Sequence, residues 1–148
     1  MKNLSYTHRV AVTAYVVKDD KFLLLKRNNE PCIWAPPGGR LEEDENPEEG
    51  LKREIKEETN FDIEIIAPVN TWFGEWQGKP LLSIDYLVRT VGGKLQLSDE
   101  HSSAAWVSLE ELKKGVPIEL DPRLGFKLKD FQKAKRLIDI LQEANYQI

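Results

Sequence analysis

The chain has 148 residues, 41 % apolar and 31 % charged, with a formal net charge of −4 at pH 7, one cysteine and two histidines. That length suits a single domain over 1–148 with a substantial core. No apolar run approaches the ~20 residues that cross a bilayer, and Met1 to Thr7 lacks the apolar centre of a secretory signal, so a cytoplasmic protein without a membrane partner is expected. Cys32 alone closes no internal disulfide, and with His8 and His101 it makes no Cys/His zinc site at a usual spacing. The acidic balance argues against bulk nucleic acid as a partner.

In chain order, Val10 to Val17 and Phe22 to Leu25 are apolar runs joined by the polar turn Lys18-Asp19-Asp20-Lys21, which predicts a hairpin of buried strands ending in Lys26-Arg27. Asn28 to Pro31 reads as a loop, and Ile33-Trp34 leads into Pro36-Pro37-Gly38-Gly39, a predicted turn with exposed carbonyls. A helix follows. Asn46 is a strong N-cap type with Glu49 at capping-box spacing, Pro47 suits the first helical position, and Glu48 and Glu49 complement the dipole. Asn60 is placed as the left-handed C-cap, after which Phe61 returns to the core.

Downstream, Ile63 and Ile65 precede Thr71 to Trp76, the turn Gln77-Gly78-Lys79 and Leu81 to Thr90, read as long strands in a hairpin. Trp72 and Trp76 share parity, hence a face, with Gly74 leaving room between them. Gly92-Gly93 opens a loop through Ser98-Asp99-Glu100-His101 to a short strand, Ala104 to Val107, and Ser108 with Glu111 caps a helix stopping near Gly115. After a proline-punctuated connection, Leu128, Phe131, Ala134, Ile138 and Leu141 place one face of a last helix on the sheet.

Glu54, Glu57 and Glu58 stand at i, i+3 and i+4 of the central helix and crowd one face. Arg53, with Glu49 and Glu57 one turn away on either side, supplies one compensating charge. A hard cation such as Mg²⁺, which prefers carboxylate oxygens and shares its shell with phosphates, would supply more. The alternative from the residues alone is a solvated charged face.

The full spacing decides between them. Gly39, five residues, Glu45, seven residues, then Arg53-Glu54-Ile55-Lys56-Glu57-Glu58-Thr59-Asn60-Phe61 resembles the signature of the Nudix hydrolase family, MutT-related enzymes, departing from it at Asn60 in place of glycine. The resemblance implies an α+β fold, the Nudix-type α/β/α sandwich with a mixed sheet. It also implies Mg²⁺-dependent hydrolysis (Mn²⁺ a substitute) of a nucleoside di- or triphosphate, or of a nucleoside diphosphate linked to another moiety. Glu57 and Glu58 would then be the main metal ligands and Glu54 a ligand or base held by Arg53, with the Gly38 carbonyl completing the shell. Glu45 would position the loop. Glu100 resembles the loop carboxylate that some members add to the metal or base machinery, with His101 a weaker candidate. Arg27 would face substrate phosphate and Trp72 could stack on a base. The expected partner is a small nucleotide, with homodimerisation left open. A catalytically silent nucleotide- or protein-binding module on the same fold is the alternative; the complete set of box carboxylates weighs against it. No downstream motif for ADP-ribose or coenzyme A derivatives is found.

Overall fold

The computed structural model describes residues 6–148; of Met1 to Thr7, read above for a secretory signal, only Tyr6 and Thr7 fall within it. The described elements are β1 (Arg9–Lys18), β2 (Lys21–Arg27), β3 (Trp34–Ala35), β4 (Gly38–Arg40), α1 (Pro47–Thr59), β5 (Asp62–Trp76), β6 (Lys79–Gly92), β7 (His101–Ser108), α2 (Leu109–Lys114) and α3 (Leu128–Glu143). The fold is the α+β sandwich with a mixed sheet: β1 runs parallel to β6 and antiparallel to β2, and the path β3-β2-β1-β6-β5 is extended by β7 on β2 and β4 on β1. No described helix is long and apolar enough to cross a membrane.

The β1–β2 hairpin turns on Asp19 and Asp20, both at positive φ, which suits the right-handed twist of the flanking strands. Its strands pair only next to the turn, at Val17 with Phe22 and Lys18 with Lys21. Beyond that they diverge. Residues 34–40 fill the gap, Trp34-Ala35 pairing with β2 and Gly38–Arg40 with β1. The predicted Pro-Pro-Gly-Gly turn is thus partly strand, and its glycines serve close approach rather than positive φ. A Cβ on Gly38 would strike the Val12 carbonyl, and one on Gly39 would stand 2.5 Å from Glu54 Oε2.

Alternation along β1 and β2 divides the core between the two faces. Val12, Ala14, Val16, Leu23 and Leu25 pack with Leu51 and Ile55 of α1, while Tyr15, Val17, Phe22 and Leu24 pack with Phe131, Ala134 and Ile138 of α3. Tyr15, Phe22 and Phe131 form an edge-to-face triad, with centroids 5.2–6.3 Å apart.

The expected caps are present. The Asn46 side chain accepts from the N–H of Glu48 and Glu49, and Asn60 closes α1 at φ 67°, ψ 7°. Ser108 and Glu111 form a reciprocal capping box, and Gly115 closes α2. The two segments expected after α1 merge into β5, 15 residues long, because register shifts at Ile65/Ala67 and Pro68/Asn70 absorb the breaks in alternation. The following turn contains only Gln77 and Gly78, both at positive φ; Lys79 already belongs to β6.

Candidate active site

Helix α1 lays its carboxylates along the divergence between β1 and β2. Leu51 and Ile55 anchor the apolar side of the helix at zero exposure, which turns Glu54 and Glu58 toward β4. Glu58 Oε1 accepts from the Gly38 N–H at 2.9 Å, and the Glu54 carboxylate lies against Gly39.

Arg53 organises the outer carboxylates. Its Nε and Nη2 each donate to Glu45 at 2.8 Å, and its Nη1 lies 3.1 Å from Glu54 Oε1 and 3.3 Å from Glu57 Oε1. The sequence suggested Glu49 as one partner of this arginine. Glu49 instead approaches Lys52 at 3.8 Å, and Glu45 takes the fork because the loop before α1 folds back, with Glu42 N–H donating to Glu45 Oε1. The guanidinium holds the Glu45 carboxyl down to about 2, so it stays ionised at all ordinary pH.

The inner carboxylates shift the other way. Burial, then the neighbouring Glu54, pushes Glu58 up to about 8 despite the Gly38 N–H, with Glu100 and Glu57 adding to the rise. Burial also raises Glu54, opposed by Arg53. A carboxylate cluster with this mutual repulsion is short of positive charge, and that is the chemical condition a divalent cation meets.

Glu100 reaches the cluster because its loop closes the C-terminus of α1. Two carbonyls left open by the helix end accept from it, Thr59 O from Gln96 N–H and Glu58 O from Ser98 N–H, and the Asn60 side chain donates in return to Lys94 O of the loop. Glu58, Glu100 and His101 thereby present ligand atoms within 4.8 Å of one another. The His101 imidazole, largely withdrawn from solvent, is lowered from its usual pKa by desolvation. Glu57 stands apart from this group, its side chain 57 % exposed and facing Arg53.

The cluster forms one end of a cleft of about 450 Å³. Gly38, Arg27 and Trp72 line the same cleft, so the phosphate-facing and base-facing candidates converge on it. Arg27 sits opposite His101 across β2 and β7, with its guanidinium carbon 6.0 Å from the Trp76 ring centroid. Trp72 does not stand free over the strand. Its indole fills the space above Gly74, and a Cβ on Gly125 would lie 2.6 Å from its Nε1, so two glycines fix the ring as a wall of the cleft.

Thr13 and Ser83 line the floor, above buried polar groups that the sequence reading passed over. Thr13 on β1 and Asn70 on β5 both pair in register with Asp85 on β6. Asp85 accepts from Ser83 Oγ at 2.6 Å, and Asn70 donates to Asp130 of α3 at 2.8 Å. Burial raises Asp85 to about 6, while Ser83 and Thr13 hold it lower than it would otherwise be. The signal was available: Ser83 and Asp85 interrupt Leu81 to Val88 at one parity, and polar residues on the buried face of a strand require partners. The segment Arg123 to Phe126, which closes the far side of the cleft, carries no comparable signal.

The model of the NUDIX domain matches residues 7–124. The chain belongs to the Nudix family. An ADP-ribose pyrophosphatase of Methanocaldococcus jannaschii is 36 % identical over 118 residues, covering 74 % of this chain and 68 % of that protein. A CTP pyrophosphohydrolase of Escherichia coli is 30 % identical over 103 residues, covering 68 % and 76 %. Among solved structures, a MutT protein from Methanosarcina mazei Go1 superposes with a TM-score of 0.74 at 26 % identity, covering 92 % of this chain and 99 % of that one. This Nudix protein is accordingly a hydrolase of the pyrophosphohydrolase type, acting on nucleotide derivatives.

Proposed function

We propose that this Nudix hydrolase, acting as one domain over 1–148, cleaves the phosphorus anhydride of a nucleoside di- or triphosphate, or of a nucleoside diphosphate linked to another moiety, with Mg²⁺ or Mn²⁺ bound. The observation that carries the reading is the meeting of Glu58, Glu100 and Gly38 with Arg27 and Trp72 in one cleft. A cytoplasmic setting and a homodimer are consistent with it.

In this reading Glu57 and Glu58 would be the main metal ligands, with the Gly38 carbonyl completing the shell. The bound cation supplies charge neutralisation at the phosphate oxygens and a water of lowered pKa. Glu54, raised by burial and held by Arg53, would serve as the proton acceptor for the attacking water or join the ligands. Arg53 holds Glu54 and Glu57 through one nitrogen, Nη1, and so fixes their orientation to each other. Glu100 adds a carboxylate from the loop before β7. Arg27 contacts the phosphate chain, and Trp72 offers an immobile apolar surface to the base.

Substrate choice lies with the far wall, and the relatives' names put ADP-ribose and CTP on the list of compounds to try. A panel of nucleoside triphosphates, dinucleoside polyphosphates, nucleotide sugars and ADP-ribose, assayed with Mg²⁺ for nucleoside monophosphate and phosphate release, tests the proposal. Turnover of at least one class, abolished by EDTA and restored by Mg²⁺, is expected. No turnover of any class would overturn it.

A further inference from the structure

We propose that His101 is a nitrogen ligand in the metal centre, making it a mixed carboxylate–imidazole site that takes Mn²⁺ or Co²⁺ in preference to Mg²⁺. The inference rests on the reading that this cleft binds a divalent cation, and it names the kind of cation.

Strand β7 is built to bring this side chain to the cluster. From Val107 to Ser103 it pairs residue for residue with β2, from Phe22 to Lys26; the register then slips, and Arg27 pairs with His101 rather than with the intervening Ser102. In unbroken alternation His101 would share the face of Ala105 and Val107, toward α3. The bulge moves it to the face of Ala104 and Trp106, which is the face of α1. One extra residue therefore aims the imidazole at Glu58.

Once there, the ring has nothing else to do. Its side chain is 9 % exposed, Nδ1 is buried without a hydrogen-bond partner, and Nε2 stands 3.7 Å from Glu58 Oε2, beyond hydrogen-bond length. A buried imidazole that makes no hydrogen bond among the described residues is a polar group left unsatisfied. A cation shared with Glu58 would engage Nε2, the ring nitrogen that faces that carboxylate, and leave Nδ1 to carry the ring proton. Two atoms each ~2.1 Å from one ion lie no more than ~4.2 Å apart, and the 3.7 Å between Nε2 and Oε2 falls within that limit. Oxygen-only sites suit Mg²⁺, whereas imidazole nitrogen is bound more strongly by later divalent ions, in the order Mn²⁺ below Co²⁺.

The test uses untagged full-length protein and Mn²⁺ as the probe. The sequence holds only two histidines, His8 and His101, so electron–nuclear double resonance of the Mn²⁺-loaded protein labelled with [¹⁵N]histidine reads the question directly. A resolved ¹⁵N coupling that persists in His8→Gln and vanishes in His101→Gln is expected. So is a fall in Mn²⁺ and Co²⁺ affinity of about tenfold or more in His101→Gln by calorimetric titration, against less than about threefold for Mg²⁺. Absence of the coupling in the wild-type protein, which requires no variant to fold, overturns the proposal, as does an equal loss for all three ions. Hydrolysis with Mg²⁺ but no ¹⁵N coupling would sink this inference and spare the proposed function. A coupling without hydrolysis of any panel compound would do the reverse.

Discussion

The two walls of the cleft are built on different physics. The α1 wall is a charge problem: Glu54, Glu57 and Glu58 are held close together by a capped helix, Glu45 joins them from the loop before it, and Arg53 balances them in part. The β5 wall is a packing problem, with Trp72 wedged between Gly74 and Gly125 over a floor of Thr13 and Ser83, the latter bonded to the buried Asp85. Charge crowding costs stability unless a ligand relieves it, whereas the packed wall is stable as it stands. On the proposed function the first wall serves the reaction and the second the choice of substrate, and substitutions should separate the two.

The largest effect is expected from Glu58→Gln, which removes a negative oxygen from the proposed metal shell at nearly constant volume. Turnover with limiting Mg²⁺ should fall by about a hundredfold or more, the scale of a lost electrostatic contact to the transition state. Glu57→Gln should lose most activity as well, and wild-type turnover in both variants would remove the assignment. Stability should move in the opposite direction. The folded pKa of Glu58, about 8, lies above its ordinary 4.5, so the folded chain holds the extra proton between those values. Metal-free stability is then fully present below about 4.5 and is lost as pH rises toward about 8. Glu58→Gln should flatten that slope and raise the melting temperature at pH 8, more than Glu57→Gln does, because Glu57 is more exposed and faces Arg53. A parallel pH dependence in wild type and Glu58→Gln would contradict it.

Next in size is Arg27→Ala, which links the two walls. Loss of a partly exposed charge-assisted contact to phosphate should reduce kcat/KM by about ten- to a hundredfold, and Arg27→Lys should recover only part of it. A rise in KM alone would mean that the contact is equal in ground and transition states; a fall in kcat would mean that it strengthens with developing charge. Unchanged constants in Arg27→Ala would leave the arginine as a neighbour of Trp76 and nothing more.

A smaller and more selective change is expected on the packed wall. In Gly125→Ala the added Cβ would meet Trp72 Nε1 at 2.6 Å, so the indole must move. Such overpacking typically costs ~1–3 kcal/mol. Ranking of the panel substrates by KM should shift by up to about tenfold while kcat on the best of them stays within about threefold, since the carboxylate cluster is untouched. A uniform fall in kcat across the panel would show that the walls are not separable.

The same division explains what could be read from the chain before folding. On α1, Asn46, Pro47, Glu54, Glu57, Glu58 and Asn60 are local signals at fixed offsets, and a helix places such residues without knowledge of the rest of the molecule. The strands were legible as apolar runs, but pairing was not. Nothing in the period shows that β1 and β2 part after the turn, or that residues 34–40 fill the gap. Glu100 was legible only by its distance from Trp106, and the orientation of His101 depends on a bulge that no local pattern announces. Trp72 was visible, but not its confinement, because Gly125 arrives from 53 residues downstream.

The smallest expected effect lies where the legible and illegible parts join, at Asn60. Its positive φ alone predicts that glycine is tolerated and that valine, β-branched, costs on the order of 1 kcal/mol or more. The structure adds a second role, since Asn60 Nδ2 donates to Lys94 O at 3.1 Å and so ties the Glu100 loop to α1. Asn60→Gly gains backbone ease and loses that bond, a net change within about 1 kcal/mol. The loop keeps its bonds from Gln96 to Thr59 O and from Ser98 to Glu58 O, so the loss should be local. Hydrogen exchange should accordingly quicken at Gln96 and Ser98 in Asn60→Gly while α1 stays protected, whereas Asn60→Val should loosen the last turn of the helix as well. Equal melting temperatures for the two variants would show that the left-handed cap carries no strain to relieve. Unchanged exchange at Gln96 in Asn60→Gly would show that the Lys94 bond does not hold Glu100 in place.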